Sequence, residues 1–287
     1  MDRDRTISAE GEHAPAGFGS VWYGERLLPL ANACINSFIA HGHRFTLYTY
    51  EPVADVPPLA EAGDADGIFP RSKVFHAHGG WETFTDQFAY QLLWQRGGWC
   101  VDSDVVCTTA HLPDAEIVFA EERPGKINNA VLKFPARHPA IADLLAYVAS
   151  VDPVNGRWGT TGPLALSKVF RTPELRKHMR PTAEIYPLHW KESPKLLFPE
   201  FTGEVLERTA QSPFIHLWGS TIREVGFDFA QWLPIAGSYL DLLYKKHLDP
   251  HILSRLKPFD EARFRRAVRD YTAAEWDVDI PIRTDAA

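Results

Sequence analysis

Cysteine, basic clusters and long apolar runs are all scarce in this sequence. Three cysteines among 287 residues are too few, and odd in number, for a disulfide framework, and Cys100, Cys107 and His111 match no common zinc spacing. No stretch approaches the ~18 apolar residues of a membrane span, and the polar first residues lack the apolar core of a signal peptide. The net charge of −7 argues against a nucleic-acid partner. These absences predict a cytoplasmic chain with no integral membrane segment, although a peripheral position at a membrane remains open.

The first part of the chain alternates between strand and helix patterns. A short strand is predicted at 19–24, an amphipathic helix at 26–41 and a second strand at 44–50. This order and spacing indicate a βαβ unit in a parallel sheet. A third short strand is predicted at Ile68-Phe69, after a loop. A helix from Thr83, which could cap it, to Arg96 is predicted to end at Gly97-Gly98.

The rest of the chain continues the α/β pattern and then becomes mainly helical. Further strands are predicted at 117–120, 130–134 and 214–218, and helices at 140–150, 164–170, 227–248 and 260–272. No repeat or change of composition marks a linker. We therefore predict one α/β domain over 18–275, with a mixed, mainly parallel sheet and residues 226–275 as a helical cover. Residues 1–17 are expected to form a disordered tail and 276–287 a flexible one.

The stretch Gly97–Val106 is the strongest functional candidate, because it ends an apolar strand with two carboxylates one residue apart. Asp102 and Asp104 repel each other unless a cation lies between them. Aspartate oxygens suit a hard divalent ion such as Mg2+ or Mn2+, which keeps open positions for substrate phosphates. Asp104 is the first choice for a metal ligand, with Asp102 on a ribose hydroxyl or a metal-bound water. The alternative is a metal-free Asp-Ser-Asp turn.

Two side chains from other segments are candidates for the same site. His216 is a lone histidine on an apolar strand, where a hydrogen-bonded core histidine is the more frequent arrangement. Its place at a strand end also makes it a candidate third metal ligand. Asp86 is predicted to lie in the first turn of the helix that leads to Gly97. It is either a carboxylate stabilised by the helix dipole or a hydrogen-bond partner of a sugar hydroxyl.

Neutral polar groups and aromatic rings complete the candidate site. Asn128-Asn129 either forms a turn or hydrogen-bonds a sugar or the reacting centre. The Gly159–Pro163 loop either starts a helix or lines an acceptor site with its backbone N–H groups and threonines. Base stacking is expected at Trp22 and Tyr23, because parallel sheets bind ligands beyond the carboxyl ends of their strands.

Several segments, in order, resemble a known family. They are Ser37–Tyr50, Thr85-Asp86-x-Phe88-x-Tyr90-x-Leu92-Leu93, Gly97-Gly98-x-x-x-Asp102-x-Asp104-Val105, Thr161-Gly162-Pro163 and His216-Leu217-Trp218. Together they resemble glycosyltransferases with a DXD-containing sugar-binding region, related to α-1,4-galactosyl- and N-acetylglucosaminyltransferases and to initiating α-1,6-mannosyltransferases. The resemblance covers about residues 19 to 225.

The resemblance implies a GT-A type, Rossmann-like fold, a nucleotide-sugar donor, Mn2+ or Mg2+ as cofactor, and retention of the anomeric configuration. With the residue patterns, it assigns metal binding to Asp104 and His216. The catalytic candidates are Asp102, Asp104 and Asn129. The donor-binding candidates are Trp22, Tyr23, Asp86, Tyr90, Asp102 and Ser103, and the acceptor-side candidates are Thr160, Thr161 and Gly162.

The sequence departs from the family pattern at Ala89, where relatives carry an arginine that reaches the donor sugar. Alanine cannot imitate a guanidinium group. We predict a hexosyltransferase that uses a UDP-sugar, acts on a glycan or lipid-linked acceptor and serves polysaccharide biosynthesis. Front-face attack is favoured because no clear nucleophile stands out. The alternative is a nucleotide-sugar or glycan-binding module that has lost transfer.

Overall fold

The computed structural model describes residues 17–157 and 159–275. Apart from Gly17, which begins the first strand, the expected disordered tail at 1–17 lies outside the described residues. The expected flexible tail at 276–287 also lies outside them, as does Trp158.

A seven-stranded sheet forms the centre of the described chain. Its strands are β1 (Gly17–Trp22), β2 (Arg44–Thr49), β3 (Glu61–Asp64), β4 (Gly98–Val101), β6 (Val118–Arg123), β7 (Lys126–Phe134) and β8 (Met179–Arg180), and a two-stranded sheet pairs β5 (Val105–Cys107) with β9 (Phe214–His216). The large sheet has the order β3-β2-β1-β4-β7-β6-β8. Strands β3, β2, β1 and β4 are parallel, β7 is antiparallel to β4 and β6, and β8 is parallel to β6. The predicted α/β class with a mixed, mainly parallel sheet is confirmed.

Eleven α-helices and three short 3-10 helices are found in the described residues. They are α1 (Pro29–Ala40), α2 (Glu82–Arg96), α3 (Pro139–Ala149), α4 (Pro163–Val169), α5 (Pro173–Arg176), α6 (Thr182–Ile185), α7 (Thr202–Thr209), α8 (Gly219–Glu224), α9 (Tyr239–His247), α10 (Pro250–Leu253) and α11 (Glu261–Glu275), with 3-10 turns at Arg71–Lys73, Trp190–Leu197 and Pro199–Phe201. None of the described helices is both long and apolar enough to cross a bilayer.

Helices cover both faces of the large sheet, because successive residues of a strand point to opposite faces and both faces carry apolar side chains. On β1, Phe18 packs with α1 residues such as Phe38, whereas Val21 belongs to the core formed with Phe88 of α2. Helices α3 and α4 extend the α2 side. The C-terminal helices pack over α1 and the small sheet, and they form the predicted helical cover.

The end of α2 leads the chain directly into the candidate stretch Gly97–Val106. Gly97 has φ 66°, a backbone conformation that favours glycine. A Cβ there would lie 2.4 Å from the backbone nitrogen of Ala136. No side chain fits at this position, so the predicted stop at Gly97-Gly98 is confirmed and β4 begins at once.

Three local predictions are wrong. The third strand is Glu61–Asp64, a half-exposed strand at the sheet edge that carries little apolar signal, and Ile68-Phe69 is buried in the following turn. Helix α2 begins at Glu82, so Thr83 is a buried residue of its first turn and not a cap. The helix predicted at 227–248 forms only over Tyr239–His247.

The segment before α9 explains the last error. It contains Pro234 and Gly237, the latter with φ 81°, and both residues break a helix. Phe227 and Phe229 are both 1% exposed. Apolar residues of this segment are therefore buried in the core without forming a helix.

Candidate active site at the carboxyl end of the sheet

Strand pairing brings the acidic stretch and His216 together. The link from β4 to β5 consists of Asp102, Ser103 and Asp104. Strand β5 is antiparallel to β9, and Val105 is paired with His216. The backbone N–H of Leu217 donates a 3.0 Å hydrogen bond to the carbonyl of Asp104. A residue more than a hundred positions away is thereby fixed beside the second carboxylate.

Three potential ligand atoms converge at this point. Asp102, Asp104 and His216 each offer one atom, and these atoms all lie within 4.8 Å of one another. His216 Nε2 lies 3.3 Å from Asp104 Oδ1. Asp104 Oδ2 accepts a 2.7 Å hydrogen bond from the backbone N–H of Gly219. Among the described residues this is the one cluster of such groups that could hold a metal ion, so the zinc alternative at Cys100, Cys107 and His111 is not supported.

The backbone after His216 adopts a rare conformation that aims the Gly219 N–H at Asp104. Trp218 is left-handed, with φ 55° and ψ 49°, which costs free energy in a non-glycine residue. Its indole N–H donates a 3.0 Å hydrogen bond to the carbonyl of Leu188, which holds it in place. A Cβ on Gly219 would lie 3.1 Å from Asp104 Oδ2. The strand predicted to run to Trp218 therefore ends at His216, and the next residues support the acidic group.

The two carboxylates of the stretch differ in their electrostatics. Burial, followed by the charge of Asp104, raises the pKa of Asp102. Burial would also raise the pKa of Asp104, but the charge of His216 and hydrogen bonds from His216 and Gly219 hold this pKa below its usual value. Burial would lower the pKa of His216, yet Asp104 raises it. Asp104 and His216 thus form an ionised pair, and Asp102 takes up a proton more readily than Asp104.

A second cluster surrounds Asp86. Its Oδ1 accepts a 2.8 Å hydrogen bond from Asn129 Nδ2, and its Oδ2 accepts a 2.9 Å bond from Thr161 Oγ1. The Tyr90 hydroxyl donates a 2.8 Å bond to the carbonyl of Thr161. A Cβ on Gly162 would lie 2.7 Å from Asp86 Oδ2. The structure therefore brings four predicted site residues together around the carboxyl group of a fifth, Asp86.

The Asp86 carboxyl is not stabilised as an anion. Burial, followed by the charge of Asp102, raises the pKa of Asp86 to about 8, against the hydrogen bonds from Thr161 and Asn129. Because α2 begins at Glu82, Asp86 lies in the second turn, beyond the part of the helix where the dipole acts most strongly. The helix-dipole interpretation of Asp86 is therefore wrong.

The two asparagines of β7 have different roles. Asn128 Nδ2 donates a 2.7 Å hydrogen bond to the buried Glu122, and Asn128 Oδ1 accepts from the backbone of Ala130. Asn129 points to Asp86. The register between β6 and β7 shifts at this place, as at a β-bulge. The backbone carbonyl of Ala130 accepts a 2.9 Å bond from the N–H of Asp102, which ties this segment to the acidic stretch.

The remaining predicted residues lie around these clusters. Trp22 is the last residue of β1 and Tyr23 follows it, and both are half-buried at the carboxyl end of the sheet. The Trp22 indole N–H donates to the carbonyl of Arg26 at 3.1 Å, and the Tyr23 ring lies 4.2 Å from the ring of Trp81. Ser103 is half-buried between the two carboxylates. The Thr160 hydroxyl donates to the carbonyl of Arg157 in its own loop.

Three residues near the site were not predicted. Gly219 supplies its backbone N–H to Asp104. Arg223, on α8, lies 3.1 Å from Glu82, on α2. The glycine that follows His216-Leu217-Trp218 is a signal that sequence reasoning could have used. Glu82 and Arg223 carry no such signal, because only the fold places their helices side by side.

Comparisons with known proteins give similarity at the level of solved structures only. No protein-family model and no curated protein match the sequence. A structure described as PaToxG glycosyltransferase matches with a TM-score of 0.43, 11% identity and coverage of 81% of this chain and 86% of that one. The bifunctional glycosyltransferase WbbM matches with a TM-score of 0.42, 13% identity and coverage of 84% of this chain and 53% of that one.

A third solved structure is the apo glycosyltransferase GlyE of Streptococcus pneumoniae. It matches with a TM-score of 0.40, 11% identity and coverage of 91% of this chain and 64% of that one. This chain therefore spans less than two thirds of the length of WbbM and GlyE. Similarities this low establish neither a family nor an activity for the chain.

Proposed function

We propose that this protein is a metal-dependent, retaining glycosyltransferase of GT-A type that moves a hexose from a nucleotide-sugar to a hydroxyl of a glycan or lipid-linked acceptor. The observation that carries the proposal is the convergence of Asp102, Asp104 and His216 beside the neutral Asp86 cluster, at the carboxyl end of parallel strands. Parallel sheets bind ligands beyond the carboxyl ends of their strands. The family resemblance of the motifs supplies the retaining chemistry and the choice of a UDP-sugar.

The donor set fits a divalent cation. Ligand atoms around one octahedral ion at about 2.1 Å lie about 3 to 4 Å apart, close to the spread of 4.8 Å or less found here. His216 Nε2 is the imidazole nitrogen that faces the carboxylates, 3.3 Å from Asp104 Oδ1, and a Cβ on Gly219 would lie only 3.1 Å from Asp104 Oδ2. Mn2+ or Mg2+ would neutralise the charge that develops on the departing diphosphate. His216 would give up the proton of Nε2 when the ion binds.

The surrounding residues would orient the donor. In this proposal Trp22 and Tyr23 hold the base, and Asp102 and Ser103 hold the ribose or the shell of the metal. Asp86, fixed by Asn129 and Thr161, hydrogen-bonds the hexose. At neutral pH the pKa of about 8 leaves Asp86 mainly protonated, so it can donate to a sugar oxygen.

The protonated state of Asp86 also bears on the mechanism. A neutral carboxylic acid is a poor nucleophile, which argues against a covalent sugar–enzyme intermediate on this group. Front-face attack remains the proposed route, with the departing phosphate accepting the proton of the acceptor hydroxyl. The acceptor would enter on the side of Thr160, Thr161 and Gly162.

The proposal is tested by screening UDP- and GDP-sugars for a rise in melting temperature with and without Mn2+, because a ligand stabilises the state that it binds. Donors that bind are then assayed for hydrolysis and transfer with wild type and Asp104→Ala. The matched control is Glu61→Gln, at the start of the edge strand β3 and away from the candidate site. We expect Mn2+-dependent turnover that Asp104→Ala abolishes and Glu61→Gln retains. Near-normal turnover in Asp104→Ala would overturn the proposal.

A second function, a nucleotide-sugar-binding module without transfer, is favoured by one residue. Ala89 lies one helical turn after Asp86 and is 8% exposed, where relatives carry the arginine described above. Calorimetry separates the two functions. Donor binding with Mn2+, without hydrolysis or transfer to any acceptor in a panel of glycans and lipid-linked sugars, would favour the binding module.

A further inference from the structure

An ion pair joins helix α2, which contains Asp86, to helix α8, which begins at Gly219. Glu82 is the first residue of α2, one turn before Asp86, and Arg223 lies one turn after Gly219 on α8. Arg223 Nη2 donates to Glu82 Oε1 at 3.1 Å. The two side chains are 49% and 45% exposed. The pair therefore lies at the mouth of the site and not in the core.

Both charges of this ion pair reach the site itself. The charge of Arg223 contributes to lowering the pKa of Asp104. The charge of Glu82 contributes to raising the pKa of Asp86 and of Asp102. The two charges are therefore close enough to act on both clusters, Arg223 on Asp104 and Glu82 on Asp86 and Asp102.

The charge balance of the site calls for a cation when a diphosphate enters. The carboxylates of Asp104 and Glu82 would oppose an anionic donor. Arg223 donates to Glu82 at 3.1 Å, and the planar fork of N–H donors of its guanidinium group matches phosphate oxygens. A half-exposed ion pair is worth little in water, so Arg223 can exchange one anionic partner for another at small cost.

We propose that Arg223 contacts the diphosphate of the donor and that Glu82 competes for the same guanidinium group. In the free protein Glu82 holds Arg223 across the mouth of the site. When the donor binds, Arg223 moves from the Glu82 carboxylate to the phosphate oxygens. This inference rests on the proposed function, because it requires a nucleoside diphosphate group in the site.

The proposal predicts effects of opposite sign for the two partners of one ion pair. Arg223→Gln removes the phosphate contact and should weaken binding of UDP about tenfold or more. Glu82→Gln removes the competitor and should tighten binding two- to fivefold. Arg223→Lys, which keeps the charge and loses the fork, should recover part of the affinity. A purely structural ion pair would give losses in both variants.

The experiment is calorimetric titration of UDP, and of GDP for comparison, into the full chain with Mn2+ and with EDTA. The variants are Glu82→Gln, Arg223→Gln, Arg223→Lys and Asp104→Asn. The control is Glu61→Gln, which breaks the Arg44–Glu61 ion pair. That pair has a 2.7 Å contact and side chains 64% and 41% exposed, and it lies at the opposite edge of the sheet. Melting temperatures within a few degrees of wild type establish that each variant is folded.

The outcomes separate this inference from the proposed function. Tighter binding in Glu82→Gln together with weaker binding in Arg223→Gln supports the exchange of partners. If Asp104→Asn loses Mn2+-dependent binding while both ion-pair variants match Glu61→Gln, the proposed function stands and this inference fails. Weaker binding in both ion-pair variants also overturns it. If wild type binds neither nucleotide with or without Mn2+, both proposals fail.

Discussion

Asp104 and Asp86 both lie close to Asp102, but in opposite electrostatic environments. Asp104 faces His216 and a backbone N–H, and its pKa is held below the usual value. Asp86 faces the uncharged groups of Asn129 and Thr161, and its pKa is raised to about 8. Of these two neighbouring carboxyl groups, Asp104 has a charged partner, whereas the hydrogen-bond donors to Asp86 are uncharged.

This difference separates two kinds of chemistry. A carboxylate that stays ionised beside an imidazole is suited to a cation. A neutral carboxyl that is fixed by an amide and a hydroxyl is suited to hydrogen bonds with an uncharged ligand such as a sugar. Each carboxyl also has a glycine against it, Gly219 beside Asp104 and Gly162 beside Asp86. The comparison can therefore be tested with matched substitutions.

The largest difference between the two carboxyl groups is expected in metal binding. Asp104→Asn should lower the Mn2+ affinity by about 100-fold or more, since even the groups that orient a ligand contribute 10- to 100-fold. Asp86→Asn should leave this affinity within about threefold, because Asp86 is outside the ligand cluster. Calorimetric titration of Mn2+ measures both. Equal losses would show that the two carboxyl groups act as one site.

The next largest effect is expected for Gly162→Ala. Its Cβ would lie 2.7 Å from Asp86 Oδ2 and 3.2 Å from Asn129 Oδ1, and both groups are fixed by hydrogen bonds. We expect a loss of about 1–3 kcal/mol in the free energy of unfolding, measured by denaturant titration, with Mn2+ affinity unchanged. Wild-type stability in this variant would mean that the Asp86 cluster is loosely held.

The dependence of stability on pH should distinguish the two carboxyl groups by sign. The pKa of Asp86 in the folded protein, about 8, is higher than the value of about 3.9 in an unfolded chain. The folded state thus holds this proton more tightly, and stability is lost as pH rises from about 4 through 8.

Between pH 5 and pH 9, in EDTA, wild type should therefore lose more stability than Asp86→Asn, by more than about 1 kcal/mol. Asp104 has a lowered pKa in the folded protein. Its contribution to the free energy of unfolding is therefore complete at pH values above the pKa of an unfolded aspartate, and it is lost only at more acidic pH. Denaturant titrations at both pH values measure the difference. Identical losses in wild type and Asp86→Asn would contradict the raised pKa.

The smallest effect is expected for Gly219→Ala. Its Cβ would lie 3.1 Å from Asp104 Oδ2 and 3.1 Å from a Leu30 methyl group, so the neighbours need to move by only a few tenths of an ångström. We expect less than about 1 kcal/mol of lost stability and a several-fold weaker Mn2+ affinity. A larger loss of stability than in Gly162→Ala would reverse the comparison of the two glycines.

Sequence patterns predicted much of the fold correctly where a physical signal is local. Helix α1 follows from apolar spacing and Pro29 at its start, and α2 ends where Gly97 leaves no space for a side chain. The strand at Glu61–Asp64 was missed because an edge strand that is half-exposed needs no apolar alternation. The helix predicted at 227–248 was too long because its apolar residues continue through a segment where Pro234 and Gly237 break a helix.

The sequence by itself determined which groups the site would contain. Asp86, Asp102, Asp104, Asn129, Thr161 and His216 were all named from their residue types, their places at the ends of elements and their resemblance to a family pattern. The structure places all six in the two neighbouring clusters.

Only the tertiary structure decided what state these groups are in. The contacts of Asp86 with Asn129, of Asp104 with His216 and of Glu82 with Arg223 join residues that are 43, 112 and 141 positions apart. Burial and Coulomb interactions depend on distance in space. The number of residues between two positions does not give their distance in space once they are more than a few residues apart. The electrostatics of the site therefore follow only from the folded structure.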